Sequence, residues 1–402
     1  MTVPFKQLFS SALAKRDYRI FLVIMLLVGM SVSFGIPLIT LFLTQTLGAS
    51  DATAGLFFLT SIAGPPINLF VGRLSDRSKS RAPFVWASAL WLAAGWVVMA
   101  LAPDKLVVFI VGTVFLSFIG VLNAQVFAVL RDVVEREQET KASTVTSAIR
   151  TAYSFGWTLG PVLGSFVAAW LGYRAVFLLA AILLLCALIP ISKLDLRRTT
   201  QLYPDAKQTG SGRGALLGLV LFGVVCALML LGETVRQAYL PIFAVEGLGM
   251  SLTQFGVLLS VAPLSELFLM PLAGVLADRY GLTKILLSGF IIGGLGFLVF
   301  ATATGVAQLY VGQIINACFI SVIFGLGITY AQALSPSSAG LASSVFFSAQ
   351  SSSLLLGSIV GSLGVQVLGL PGLFVLPAGA AALACVLFVF VNRAEFGRTA
   401  ST

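Results

Sequence analysis

Gly72-Arg73-Leu74-Ser75-Asp76-Arg77 followed by Arg81, and Gly274-Val275-Leu276-Ala277-Asp278-Arg279 followed by Lys284, carry one pattern at two places in the chain. Each copy closes a long apolar stretch with a small residue, an acid and a cluster of cations. Gly55 precedes the first copy by about the same distance as Gly256 precedes the second, and Pro37 is echoed by Pro241. The chain therefore reads as a parallel repeat of two similar halves.

Outward from these stretches the composition is that of lipid-embedded protein. Of 402 residues 58% are hydrophobic and only 10% charged, where a soluble domain carries roughly 25% charged residues. There is too little polar surface to cover a water-soluble globule. A span needs about 20 mostly apolar residues, and twelve stretches qualify: 18–44, 52–72, 83–102, 105–131, 142–170, 174–191, 214–245, 252–276, 285–303, 306–334, 339–367 and 373–391. Ser192 to Gly214 is a polar segment, which sets the expected division: residues 1–192 as one six-helix bundle, 193–213 as a cytoplasmic linker and 214–402 as the second bundle. The basic, polar stretch Met1 to Arg19 has no small-residue cleavage site, so the first span is expected to stay in the mature protein.

Charge placement sets the expected orientation. If both termini are cytoplasmic, all but four of the 24 Lys and Arg residues fall on that side; the four are Lys105 and Arg174 outside, and Arg150 and Arg236 within spans. That is the positive-inside pattern, with the chain expected in the cell (inner) membrane. It accounts for the net charge of +9 without nucleic acid as a partner. The four cysteines, Cys186, Cys226, Cys318 and Cys385, are scattered through apolar stretches, and the chain has no histidine. They read as small core residues, not as a metal site or a disulfide framework.

Polar side chains deep in lipid are costly and usually face a cavity or another helix. Segments 3, 6, 9 and 12 carry almost none. The other eight carry Ser33, Asn68, Asn123, Gln125, Arg150, Tyr153, Glu233, Arg236, Glu266, Asn316, Gln332 and Gln350. Every third span is thus expected to face lipid, with the remaining eight around a central pathway. Arg150, Tyr153 and Trp157 share one helix face, as do Glu233, Arg236 and Gln237. Glu266 has no cation within a turn of its own helix and is the first choice for a proton-carrying group. Glu233 is the second, although its spacing from Arg236 suits a self-neutralising structural pair equally. Arg150 suits a substrate oxygen, a counter-charge to one of the glutamates or a contact between helices, and Tyr153 and Trp157 suit either a sugar or drug ring or plain packing. The candidate substrate residues are Asn123, Gln125, Arg150, Tyr153, Trp157, Arg236, Gln237, Asn316 and Gln350. With no His, no clustered Cys and no phosphate-binding loop, an enzyme is not expected. A secondary transporter is, and such proteins often repeat their fold with a site near the bilayer midplane.

The doubled pattern resembles the loop 2–3 signature of the major facilitator superfamily. The resemblance implies an all-α membrane fold of twelve helices in two pseudo-symmetric six-helix bundles. It also implies conformational-switch roles for Gly72, Asp76, Arg77, Arg131, Gly274, Asp278 and Arg279. The two glycines are expected at close helix approaches, and Asp76 is expected to pair with Arg131. Segment 5 reads Gly156-xxx-Gly160-Pro161-xx-Gly164, a flat face for helix packing. This string resembles the antiporter signature of drug-proton exporters in the superfamily, departing from it at Ser165. It favours export over an inward symporter.

A closer resemblance, to the bacterial sugar efflux transporter family, rests on Pro37 to Gly55, Gln125 to Asp132, Ser147 to Arg150, Trp157 to Pro161, Ser265-Glu266, Leu272 to Gly274, Arg279 to Gly281, Gln313 to Ala317 and Gln332 to Pro336. It implies export of sugars or glycosides by proton antiport through alternating access, with Gln125, Arg150, Glu266 and Asn316 as the main positions. The implied coupling ion is the proton, with no cofactor and no metal, in a monomer whose partners are a small-molecule substrate and the lipid bilayer. Glu233 and Arg236 stand outside this resemblance. The alternative is a multidrug-proton antiporter of the same fold, which would prefer a more apolar cavity than these amides make.

Overall fold

A computed structural model describes residues 15–137, 142–195, 213–335 and 339–399. Among them, twelve helices are long and apolar enough to cross a membrane. In chain order they are α1 (Arg16–Thr46), α2 (Asp51–Ser75), α3 (Ala82–Leu101), α4 (Lys105–Arg136), α5 (Ile149–Leu171), α6 (Tyr173–Ile191), α7 (Leu216–Gly247), α8 (Leu252–Tyr280), α9 (Leu282–Ala301), α10 (Val306–Leu334), α11 (Val345–Leu368) and α12 (Gly372–Phe390). Helices satisfy their own backbone hydrogen bonds, which is why an apolar chain in lipid takes this form.

The chain divides into two compact units. The first comprises Met1–Gly48, Thr60–Leu202 and Ser251–Ser260; the second comprises Ala49–Leu59, Tyr203–Met250 and Val261–Thr402. The units therefore exchange the opening turns of α2 and α8, which a division at the linker alone does not anticipate. Most of that linker, 196–212, lies outside the described residues.

Inside each unit the same packing recurs. In the first, α1 lies along α5 and α6, and α3 lies along α6 and α4; in the second, α7 lies along α11 and α12, and α9 along α12 and α10. The repeat extends to backbone detail. α1 and α7 both end in a widened turn, closed by Leu47 N–H to Phe42 O at 3.2 Å and by Leu248 N–H to Phe243 O at 2.9 Å. Both chains then pass through a left-handed glycine, Gly48 (φ 62°) or Gly249 (φ 67°), a conformation that costs glycine least. Ser50 and Ser251 follow, each accepting from the amide three residues on at 3.3 Å, which caps α2 and α8. Phe42, Gly48, Ser50 and Gly55 thus answer to Phe243, Gly249, Ser251 and Gly256. In that register Pro37 faces Ala238 and Pro241 faces Thr40, so the two prolines are not repeat partners. The echo was close in number but a helical turn out of step.

The glycines of α5 bring it against α1. A β-carbon on Gly156 would stand 2.6 Å from the Met30 amide nitrogen, and one on Gly164 would stand 2.7 Å from Phe34 O. One on Gly160 would overlap Ser33 Oγ, and that hydroxyl donates to Gly156 O at 2.9 Å. Gly357 and Gly361 repeat the spacing on α11, where they meet Leu231, Thr234 and Tyr239 of α7. Pro161 lies inside α5; its carbonyl and the Ser165 side chain lie against Gly256. Gly72 and Gly274 behave differently. Among the described residues neither has any atom within 4 Å of where a β-carbon would stand, so the close approach expected of them is not made there.

Candidate functional site

The second unit holds a buried polar cluster built on α7 and α10. Glu233, Arg236 and Gln237 fall on one face of α7 because they are spaced by three and four residues. Arg236 Nε donates to Glu233 Oε2 at 2.8 Å and its Nη2 donates to Oε1 at 2.6 Å, a bidentate pair. Gln237 Nε2 donates to Oε1 at 2.9 Å, and Asn316 Nδ2 donates to Oε2 at 3.1 Å. Arg236 Nη1 donates to Gln313 Oε1 at 2.7 Å. Glu233 thus receives four donors, against the roughly four lone-pair positions that a carboxylate offers. Gln313 is the member that sequence reasoning missed. The available signal was its place one turn before Asn316 on α10, which puts both amides on the same face.

Glu266 contrasts with Glu233. It lies on α8, partly covered, within electrostatic reach of Glu233 and Arg236. Among the described residues it makes no hydrogen bond or ion pair. The triad of charges is consequently one satisfied pair and one free carboxyl. Neutral Glu266 leaves the cluster at zero charge and ionised Glu266 leaves it at −1, so it is the group that a proton can visit without dismantling hydrogen bonds. Gln350 on α11 is half-buried, and its backbone carbonyl accepts from Ser353 Oγ at 2.7 Å.

The first unit holds a second cluster on α4 and α5. Asn123 Nδ2 donates to Tyr153 Oη at 3.3 Å, and the Tyr153 and Trp157 rings stand 6.5 Å apart at 50°. Arg150, one turn before Tyr153, is exposed from the protein and has no ion-pair partner among the described residues. Unneutralised cations inside a span are rare and usually point at a pathway. Gln125 is placed elsewhere. Two positions past Asn123, it faces the other side of α4, where its Oε1 accepts from Ser75 Oγ at 2.7 Å.

That hydrogen bond belongs to a third network, at the end of α2. Arg81 Nε donates to Asp132 Oδ2 at 2.7 Å, and its Nη1 donates to Ser75 Oγ at 3.1 Å. Both members of the pair are over nine-tenths buried. Of the residues assigned to a switch from sequence, Arg77, Asp278 and Arg279 are exposed. Arg131 holds Glu135 one turn along its own helix at 2.8 Å, and the side chain of Asp76 lies outside the described residues. Arg81 and Asp132, both present in the quoted stretches, form a buried pair here. Their positions are at the helix ends where α2 meets α4.

The comparisons with known proteins agree with this architecture. The family model of the Major Facilitator Superfamily matches residues 21–232 and 222–401. The chain is 29% identical to "Sugar efflux transporter A" of Dickeya chrysanthemi, across 81% of this chain and 83% of that one. It is 26% identical to "Sugar efflux transporter C" of Escherichia coli (strain K12), across 92% and 95%. Among solved structures, an auto-inhibited POT family peptide transporter superposes with a TM-score of 0.78 at 14% identity, covering 95% of this chain and 97% of that one; at such identity the likeness concerns the fold alone. The recurring helix packing and a family match over nearly the whole chain lead to one conclusion: this all-helical, multi-pass chain is a transporter rather than an enzyme and belongs to the major facilitator superfamily.

Proposed function

We propose that the chain exports sugars or glycosides from the cytoplasm by proton antiport through alternating access, with both termini cytoplasmic in the inner membrane. The observation that carries the coupling is Glu266, a carboxyl with no hydrogen-bond partner among the described residues, beside a fully satisfied Glu233–Arg236 pair. The cargo class rests on the relatives named for sugar efflux, which match over most of their own length, and on the Asn123 amide and the Trp157 ring beside Tyr153. In this reading Glu266 carries the proton. Glu233 holds Arg236, Gln237 and Asn316 in place rather than titrating. Asn123, Arg150, Tyr153 and Trp157 recognise cargo in the first unit, and Gln237 and Asn316 do so in the second. Gln125 moves from the cargo set to the Ser75–Arg81–Asp132 network.

The test uses purified protein in proteoliposomes. Wild type is expected to concentrate a labelled sugar when a pH gradient is imposed. Glu266→Gln is expected to lose that concentration while still exchanging labelled for unlabelled sugar at equilibrium. Sugar flux indifferent to the gradient, or an E266Q protein that still concentrates sugar, rejects the coupling. A thermal-shift screen separates the two cargo classes, because a ligand that binds the native state raises its apparent stability. Shifts with cationic drugs and none with sugars would select the multidrug reading.

A further inference from the structure

Asn68 Oδ1 and Asn123 Oδ1 are both buried in the first unit and accept no hydrogen bond. Asn68 projects from α2 onto Gly120 of α4, where a β-carbon would meet its amide, with Cγ and Oδ1 at 3.1 Å. Gly120 and Asn123 are one turn apart on α4 and share a face. Gly120 also lies at the middle of α4, one turn after the tightened segment Leu116–Phe118 that breaks the regular helix. Short segments of this kind inside helices often mark functional places. Two amides from two helices therefore lie on one face of α4 at the middle of its span, Asn68 against Gly120 and Asn123 one turn on, beside Tyr153.

Which group of Asn123 is unmet depends on how the amide is turned: end for end, Oδ1 would accept from Tyr153 and the NH2 would be unmet, so in either setting one buried polar group of this amide lacks a partner among the described residues. Buried polar atoms without partners are few in native proteins, and each calls for a reason. Packing supplies none here, since an alanine or leucine would fill the same helix contact with nothing to desolvate. Two carbonyl acceptors beside an aromatic ring suit a neutral ligand that carries neighbouring hydroxyl donors on a ring with an apolar face. A cation would also seek carbonyl oxygens, but Arg150 is within electrostatic reach of Tyr153 and places a fixed positive charge against it.

We propose that Asn68 is a specificity-determining residue of the cargo site: its amide oxygen, alongside that of Asn123, accepts hydrogen bonds from adjacent hydroxyls of a sugar ring packed on Tyr153 and Trp157. This inference rests on the reading of the chain as a sugar exporter. It goes beyond that reading by naming a contact on α2 and the hydroxyl pair that the contact selects.

The experiment measures KM and maximal rate for labelled glucose and for its 2-, 3-, 4- and 6-deoxy analogues, in proteoliposomes of the full chain. Wild type, Asn68→Ala and Asn68→Asp are compared. A site built to hydrogen-bond a hydroxyl penalises an analogue lacking it. Wild type is expected to show a KM about ten-fold higher for at least one deoxyglucose, the effect of losing one well-made hydrogen bond. N68A is expected to raise KM for glucose by about the same factor at nearly unchanged maximal rate, and to be indifferent to that one deletion. N68D keeps the acceptors and is expected to stay within about three-fold of wild type. An N68A protein with wild-type discrimination overturns the proposal, as does one whose KM rises equally for every analogue. If N68A does not fold, the wild-type and N68D series decide: a wild type equally fond of glucose and all four analogues overturns it. A wild type that moves no sugar at all overturns the sugar-export reading itself, a result distinct from the others.

Discussion

At the scale of single residues, the two intramembrane glutamates show how alike residues are set apart by their neighbours. Glu233 is held by four donors, and Glu266 by none among the described residues. Removing one member of a buried ion pair strands the other, at a cost of about 3–5 kcal/mol, whereas replacing both with apolar residues is often close to neutral. Arg236→Met alone is therefore expected to lower the melting temperature in detergent well below wild type. The double variant Glu233→Leu/Arg236→Met is expected to recover most of that loss. A double variant no more stable than the single would show that the pair is not an isolated unit. Asp132→Asn makes the same prediction for Arg81, with a comparable drop in thermal stability, since that pair is over nine-tenths buried. Sequence found Glu233, Arg236, Gln237 and Asn316 because helical spacing puts them on common faces. It did not single out Gln313 or the contact of Gln125 with Ser75, because which neighbour a face meets is a tertiary fact.

Among elements, α5 against α1 is the tightest legible contact, and its glycines were readable from spacing alone. Backbone atoms stand where side chains on Gly156 and Gly164 would go, and backbone cannot rotate away as a side chain can. Gly156→Val is expected to prevent the two helices from closing, seen as loss of the monodisperse peak in size-exclusion chromatography. Gly72→Ala is expected to change the melting temperature by no more than a degree or so, because open space surrounds Gly72 and a helical alanine is favoured over glycine by about 1 kcal/mol. A strongly destabilised G72A protein would show that this glycine meets a neighbour after all. The two sites carry the same residue in the same sequence logic, and only the distance to the next helix separates them.

For the whole molecule, the charge distribution fixes the expected placement in the membrane. A fluorescent reporter that matures only in the cytoplasm, fused after Thr402, is expected to glow, and a periplasmic phosphatase at the same point is expected to stay inactive. The reverse result would invert the proposed direction of transport. The sequence by itself determined the twelve spans, the repeat and the eight polar-bearing helices. Hydropathy, charge bias and glycine spacing are local properties, and lipid enforces them residue by residue. Only the tertiary structure decided that the opening turns of α2 and α8 fall in a different unit from the rest of each helix, that Arg81 is the buried cation beside Asp132, and that Glu233 is satisfied while Glu266 makes no hydrogen bond among the described residues. Those outcomes depend on which surfaces meet across helices far apart in the chain. A side chain's partners are chosen in three dimensions, where hydrogen-bond reach of about 3 Å separates groups that the sequence leaves equivalent.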